Sequence, residues 1–181
     1  MKKHSQGIFK KNTAMFTTVA TEFCYFLERA ENMNRDAFVN IILQILPLLY
    51  VEAFLLPEVE LFNDEEELER YVTEERYEAL RIKLSAILAE KDDYLEVFLP
   101  EMAYSDTPIK QSISEDLADI YMDIKNFIFV FRQGLNETMN DALYICKENF
   151  SIYWGQKLVN TLRALHNMKY DFDAKVQDDE Y

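Results

Sequence analysis

The chain has 181 residues, 49% of them hydrophobic, a length that suits one domain with a substantial core and is too short for two domains with separate cores. Only three glycines and four prolines occur, too few for the turns that many short strands need, so the composition favours long helices. The formal net charge of −14 opposes broad contact with a phosphate backbone and excludes nucleic acid as an expected partner.

The two cysteines, Cys24 and Cys146, lie far apart without CxxC spacing, so they indicate neither a zinc site nor a disulfide framework. We expect each of them to be a small buried hydrophobic residue. The first twelve residues carry lysines but no apolar stretch that resembles a signal peptide, which predicts a cytoplasmic protein.

The stretch 38–56 is nearly continuous apolar sequence of about the length that spans a membrane. It is interrupted by Asn40, Gln44, Pro47 and Glu52, and a carboxylate costs roughly 3 kcal/mol at the centre of a bilayer. The sequence therefore predicts no membrane helix here, but the buried central helix of a soluble domain.

Apolar periodicity predicts the first two helices. The first runs from about Thr13 to Ala30, and the second begins at Asn34, a good N-cap residue. We expect Pro47 to kink or split the second helix, because proline lacks a backbone donor and clashes with the preceding turn. The acidic run 64–69 that follows is predicted to be a solvated connection.

The second half of the chain contains three more helices. Residues 73–90 form a helix capped by Thr73, residues 91–111 read as a long loop, and residues 112–131 form a helix opened by a capping box from Ser112 to Glu115. The last helix covers 136–166 and contains Trp154, expected in the core. We expect an all-α, antiparallel bundle of five or six helices in a single domain, ordered from about 13 to 168 with frayed termini.

Three aspartates on the penultimate helix are the leading candidate for chemistry. Asp116, Asp119 and Asp123 stand at i, i+3 and i+7 and line up on one face, at the edge of the apolar stripe. Three carboxylates in two turns suit a hard cation such as Mg²⁺ or Mn²⁺. The alternative is that they stabilise the helix dipole and face water.

Three glutamates are further candidate ligands. Glu22 borders the apolar face of the first helix, Glu52 is the single charge in the most apolar segment, and Glu148 lies on a polar stripe of the last helix. A carboxylate in apolar surroundings is either paired or reaches the surface. Lys157 and Arg163 are the candidate partners for Glu22 and Glu52.

The same polar stripe of the last helix includes Asp141, which we expect to be solvated, and Gly155. Gly155 either permits close approach of another helix or a ligand, or is tolerated at some cost. No Gly-rich phosphate loop, HExxH or GxSxG motif occurs, so the catalytic residues remain unassigned and no cofactor is predicted apart from the candidate divalent cation.

Three segments carry a family resemblance, namely ILPLLYVEAFLLP at 45–57, SISEDLADIYMDIKNF at 112–127 and NDALYICKENFSIYWGQKLVNTLRALH at 140–166. From about Phe16 to His166 the chain resembles an uncharacterised bacterial family that is known only as a domain of unknown function. The resemblance implies a compact, all-helical cytosolic domain. It implies no activity and assigns no site residues.

A second resemblance is to the all-α nucleotide pyrophosphatases, which hold magnesium between acidic pairs on two helices. Asp116 with Asp119 matches one such pair and Glu28 with Glu31 the other. The leading hypothesis is a non-enzymatic interaction protein that binds another protein or forms a homo-oligomer. The alternative is a Mg²⁺- or Mn²⁺-dependent nucleotide phosphohydrolase that uses the aspartates.

Overall fold

The structure is a computed structural model that describes residues 7–63, 67–96 and 109–170. Its helices are α1 (Lys11–Arg29), α2 (Arg35–Phe54), α3 (Glu74–Leu88), α4 (Ile113–Phe131), α5 (Asn136–Asn149) and α6 (Gly155–Tyr170), with a 3₁₀ turn at Ala89–Lys91 and two strands, β1 (Asp93–Glu96) and β2 (Ile109–Ser112). A π-helical turn, Phe150–Trp154, joins α5 to α6. The predicted all-α bundle is confirmed; most of the predicted frayed ends and part of the acidic run lie outside the described residues, but order begins earlier than predicted, since α1 starts at Lys11.

The predicted starts of three helices are confirmed by their caps. A side-chain oxygen of each cap residue accepts a hydrogen bond from a backbone N–H of the first turn, which otherwise has no partner within the helix. The pairs are Asn34 with Ala37 (2.8 Å), Thr73 with Arg76 (3.3 Å) and Ser112 with Glu115 (3.2 Å).

The central helix is α4, which packs against α1, α3, α5 and α6. The prediction that the apolar segment around Pro47 is the buried centre is wrong. α2 packs on α1 and α6 through one face, and its opposite face points outward, with Leu48 57% and Phe54 68% exposed. When a helix is apolar on all sides, its sequence does not indicate which side meets the core.

α2 is continuous through Pro47 and is not split there. Pro47 is exposed, so the backbone acceptor left free by its missing N–H lies towards the outward side of the helix, where water can reach it. By length and composition α2 would also suffice to cross a membrane, and 39% of its apolar window is buried inside the fold. The core helix of a soluble protein passes the same test.

The two ends of the predicted loop at 91–111 form an antiparallel strand pair instead (the β1–β2 hairpin), in which Asp93 pairs with Ser112 and Glu96 with Ile109, while the middle of the loop, 97–108, lies outside the described residues. The hairpin is attached to the start of α4 by Asp92, which is buried. Its carboxylate accepts hydrogen bonds from the backbone N–H and the hydroxyl of Ser114, at 2.8 and 2.6 Å. This contact places β1 beside the first turns of α4. No periodic pattern in the sequence predicts it.

The last predicted helix is confirmed in extent but contains the π-helical turn. The backbone N–H of Gly155 donates to the carbonyl of Phe150, five residues earlier, and a Cβ on Gly155 would lie 2.3 Å from that oxygen. Gly155 therefore permits a close approach within its own helix. Trp154 is fully buried, as predicted, and its Nε1–H donates to the carbonyl of Cys146 (3.2 Å).

Candidate functional site

Two of the three predicted aspartates are buried and meet at one lysine. Asp116 is 2% exposed and Asp119 8%, and they are neighbours on α4 because they are three residues apart. Lys157 of α6 places its Nζ 2.9 Å from Asp116 Oδ1 and 2.9 Å from Asp119 Oδ2. The ammonium thus lies where a cation bridging the two carboxylates would lie.

Hydroxyl groups occupy the remaining positions around the two carboxylates, so all four oxygens accept at least one hydrogen bond. This aspartate network consists of Asp116, Asp119 and Lys157 with the donors Tyr94 and Thr161 (3.3 Å) to Asp116 Oδ2, Tyr77 to Asp119 Oδ1 (2.8 Å) and Tyr153 to Asp119 Oδ2 (2.9 Å). The donors come from β1, α6, α3 and the π-helical turn. The network therefore attaches four separate elements to α4.

The lysine of the network is charged and its phenols are neutral at neutral pH. Desolvation lowers the pKa of Lys157, but its hydrogen bonds to Asp116 and Asp119 outweigh desolvation, and the pKa is raised overall. Burial and the hydrogen bond to Asp119 raise the pKa of Tyr153 to about 12. Burial and a carboxylate acceptor also raise the pKa of Tyr77 and Tyr94. These phenols are therefore hydrogen-bond donors, and none is poised as a base.

The third aspartate, Asp123, does not join the network. It is half-buried, and Asn149 Nδ2 donates to its Oδ1 at 2.6 Å. Desolvation raises the pKa of Asp123. Within residues 7–63, 67–96 and 109–170, no group of three or more His, Cys, Asp or Glu side chains is arranged to hold a metal ion.

In the part of the chain that the structure describes, none of the candidate glutamates shares a hydrogen-bond or ion-pair partner with these aspartates. Glu22 and Glu148 are exposed. Glu52 is half-buried, and its Oε2 is buried without a hydrogen-bond donor from the described part of the chain. The candidate partners are wrong, since Lys157 pairs with the aspartates and Arg163 Nη2 donates to the carbonyl of Leu95 (3.0 Å).

The second acidic pair of the pyrophosphatase resemblance lies on another side of α4. Glu28 accepts hydrogen bonds from Tyr121 (2.8 Å) and from Lys125, and Glu31 is exposed. Tyr121 follows Asp119 by two residues, which is a rotation of about 200° on a helix. Glu28 therefore contacts the face of α4 that lies nearly opposite to the face carrying Asp119. The arrangement does not bring two acidic pairs to one metal ion.

A cavity of about 840 Å³ lies beside the network, between α4, α5, the π-helical turn and the segment that precedes α3. Tyr153 belongs to both the network and the cavity wall. The apolar part of the wall includes Met122, Phe127 and Ile145, and Asp123 contributes a carboxylate.

Two polar residues hold the irregular segment over this cavity, namely Asn126, which the sequence did not identify, and Asp141, which was predicted to be solvated. Asn126 Oδ1 accepts hydrogen bonds from the backbone N–H groups of Tyr71 (2.8 Å) and Val72 (2.9 Å). Asp141 accepts from the backbone N–H of Phe62 (2.7 Å) and is buried, so its expected exposure is wrong. Hydrogen-bond partners that lie in irregular backbone cannot be identified from periodicity in the sequence.

Residues 7–171 match a family described as a domain of unknown function (DUF5063). The chain belongs to this family. The resemblance noted from the sequence is confirmed, and the match covers the bundle, the aspartate network and the cavity. The domain is also similar to protein BF1032 from Bacteroides fragilis, a structural genomics target solved by crystallography. The two share 61% sequence identity, with 91% of this chain and 99% of that chain covered and a TM-score of 0.80. No curated protein matches the chain.

Proposed function

We propose that this domain is a non-enzymatic interaction protein that assembles with a second copy of itself through the outward face of α2. The observation that carries the proposal is an uncharged apolar stripe on that face. It consists of Ile41, Leu48, Val51 and Leu55, with Gln44 among them, and every one of these residues is exposed.

The spacing of the stripe is that of a helix seam. Positions 41, 44, 48, 51 and 55 alternate steps of three and four residues, the spacing by which one helix packs along another. Phe54 and Pro47 flank the stripe and are also exposed. The side of α2 that meets α1 and α6 is made by other residues, including Ile42, Leu46 and Leu49. α2 therefore carries two apolar faces, of which the fold uses one.

The size of the stripe suits a weak dimer. Its exposed side chains, with Phe54, present on the order of 500 Å² of apolar surface, at the upper end of what a monomer normally exposes in one patch. Two such faces would bury about 1,000 Å² in total, which is the lower limit for a specific interface. We therefore expect association that depends on concentration.

Charge favours a second copy over a basic partner. The chain has a net charge of −14, yet between Ala37 and Val51 α2 carries no charged residue, and Glu52, the one charge within the span of the stripe, is half-buried, so two copies can meet along most of this face without placing like charges in contact. A basic partner would gain no ion pairs on this stripe. Gln44 is the polar residue within the stripe, and its amide is both a donor and an acceptor, so it can form a hydrogen bond across an interface between two copies.

The phosphohydrolase alternative has less support from the geometry. Lys157 occupies the position between Asp116 and Asp119, and the four carboxylate oxygens already accept hydrogen bonds. A metal ion would have to displace an ammonium whose pKa is raised by these same aspartates. The interaction function requires no such rearrangement.

The test is the mass in solution over a range of protein concentrations, measured by light scattering after size exclusion. We expect a monomer–dimer equilibrium that shifts towards dimer when salt screens the repulsion between two acidic chains. Leu48→Glu should abolish the dimer by placing a charge at the centre of the seam. Ile82→Glu on α3, where the isoleucine is 58% exposed, is the matched control and should leave the dimer unchanged.

A monomer at every concentration would overturn the proposal, and so would a dimer that Leu48→Glu does not affect. α2 also has the length of a membrane helix, so the same variants should be tested for flotation with lipid vesicles. Binding of the wild-type chain to vesicles that Leu48→Glu removes, without any dimer in solution, would assign the face to a membrane and also overturn the proposal.

A further inference from the structure

The cavity beside the aspartate network has the size and the wall of a ligand site. Its volume of about 840 Å³ lies within the range of roughly 300–1,000 Å³ typical of small-molecule pockets. The apolar side chains include Met122, Phe127 and Ile145, and polar groups from Asp123, Asn149 and Tyr153 gather at the side where the π-helical turn passes. A π-helical turn within an α-helix is frequent at functional sites.

Asp123 is a carboxylate of the cavity wall with capacity left for a ligand. Its Oδ1 accepts the hydrogen bond from Asn149, while Oδ2 accepts none from the residues that the structure describes. The other two aspartates of the stripe are saturated by Lys157 and by hydroxyl donors. Desolvation raises the pKa of Asp123 and outweighs the lowering by the Asn149 hydrogen bond and by the charge of Arg70, and a further cationic group beside Asp123 would offset this cost.

The charges around the cavity select the class of ligand. Among the described residues, three carboxylates line it, from Glu67, Glu69 and Asp123, against one guanidinium, from Arg70; Glu67, Glu69 and Arg70 are exposed, and Asp123 is half-buried. The chain as a whole adds a net charge of −14, which raises the local concentration of cations. An anionic ligand would meet unfavourable potential from both sources.

We infer that this cavity binds a small amphipathic amine, whose ammonium group pairs with Asp123 and whose apolar part packs against Met122, Phe127 and Ile145. The site is independent of the α2 face, so the two proposals can fail separately. Asp123 fixes the ammonium by a charge-assisted hydrogen bond, and the apolar wall supplies most of the remaining affinity.

Three probes of one shape separate the charge from the apolar contribution. They are 4-phenylbutylamine, 4-phenylbutanol and 4-phenylbutyrate, titrated calorimetrically at physiological ionic strength. We expect the amine to bind more tightly than the alcohol, and the alcohol more tightly than the carboxylate. Asp123→Asn should reduce the affinity for the amine roughly tenfold, to that of the alcohol, and leave the alcohol unchanged.

Two further variants locate the site. Asp36→Asn removes an exposed carboxylate from α2 and, as the matched control, should leave all three affinities unchanged. Ile145 lines the cavity and is partly exposed, so Ile145→Trp fills the cavity from that side. This variant should weaken the binding of the amine and of the alcohol in parallel. The inference is overturned if no probe binds at millimolar concentration or if the carboxylate binds best. It is also overturned if Asp123→Asn leaves the amine affinity intact, or if Ile145→Trp has no effect.

Discussion

Replacing Lys157 by methionine removes the ammonium from between Asp116 and Asp119 while keeping most of the side-chain volume. Both carboxylates then stay in the interior without a counter-charge, although Tyr77, Tyr94, Tyr153 and Thr161 still donate hydrogen bonds to them. Removing one partner of a buried ion pair costs far more than the pair contributes, because the remaining charge has lost its hydration.

Lys157 is 24% exposed, so we place the cost at the lower end of the range for buried pairs, about 3 kcal/mol of unfolding free energy. For a domain of this size that corresponds to a decrease of roughly 10 °C in melting temperature. Lys110→Met is the matched control, because Lys110 pairs with Asp93 on the surface with both side chains more than half exposed. Its expected cost is less than about 1 kcal/mol.

Urea unfolding followed by circular dichroism measures the loss of unfolding free energy for Lys157→Met and for Lys110→Met. The double variant Lys157→Met with Asp116→Asn tests the cause of the loss in Lys157→Met. If the cost of Lys157→Met arises from uncompensated charge, neutralising one of the two carboxylates should leave the protein no less stable than the single variant. Equal stabilities for Lys157→Met and Lys110→Met would refute the reasoning. So would additive losses in the double variant.

Further outcomes follow from the same contacts. Gly155→Ala should cost about 1–3 kcal/mol in urea unfolding, because its Cβ meets the Phe150 carbonyl at 2.3 Å, and a neutral result would contradict the required close approach. For Asp123 the folded-state pKa is raised above its ordinary 3.8, so ionisation destabilises the folded state as pH rises through that window. Relative to wild type, Asp123→Asn should therefore gain stability from acid to neutral pH, and a pH-independent difference would be inconsistent with this. Mg²⁺ and Mn²⁺ should leave the melting temperature unchanged, and a metal-induced increase that Asp119→Asn removes would restore the phosphohydrolase hypothesis.

The helices were predictable because apolar periodicity is a local signal, to which three of them add a cap residue. Asn34, Thr73 and Ser112 mark their starts, and the apolar period of 3.6 residues marks their length. The identity of the central helix was not predictable from hydropathy. α4 is central although it carries three aspartates, and α2 is peripheral although it is the most apolar, because the arrangement of helices depends on which faces complement one another.

The aspartates were found as a stripe at the edge of the core, but their partners were not. Lys157 and Thr161 stand four residues apart on α6, and Tyr153 lies four residues before Lys157, so a complementary polar stripe was present in the sequence. The π-helical turn contains Tyr153, the first residue of that stripe, and Tyr77 and Tyr94 come from separate elements. Their convergence depends on tertiary contacts that no spacing within one element encodes.

The irregular elements and the aspartate network depend on each other. The π-helical turn has one residue more between its hydrogen-bonded groups than a regular α-helical turn. It carries Tyr153, which donates to Asp119 and also lines the cavity. The hairpin is attached to α4 by Asp92 and contributes Tyr94 to Asp116. Apolar side chains of the same volume could provide equal stability in place of a buried ion pair. They would not supply directional acceptors for the phenols of Tyr94 and Tyr153. The hairpin and the π-helical turn have no strong local signal in the sequence, so we attribute their defined positions beside the cavity to the buried aspartates that accept these hydrogen bonds.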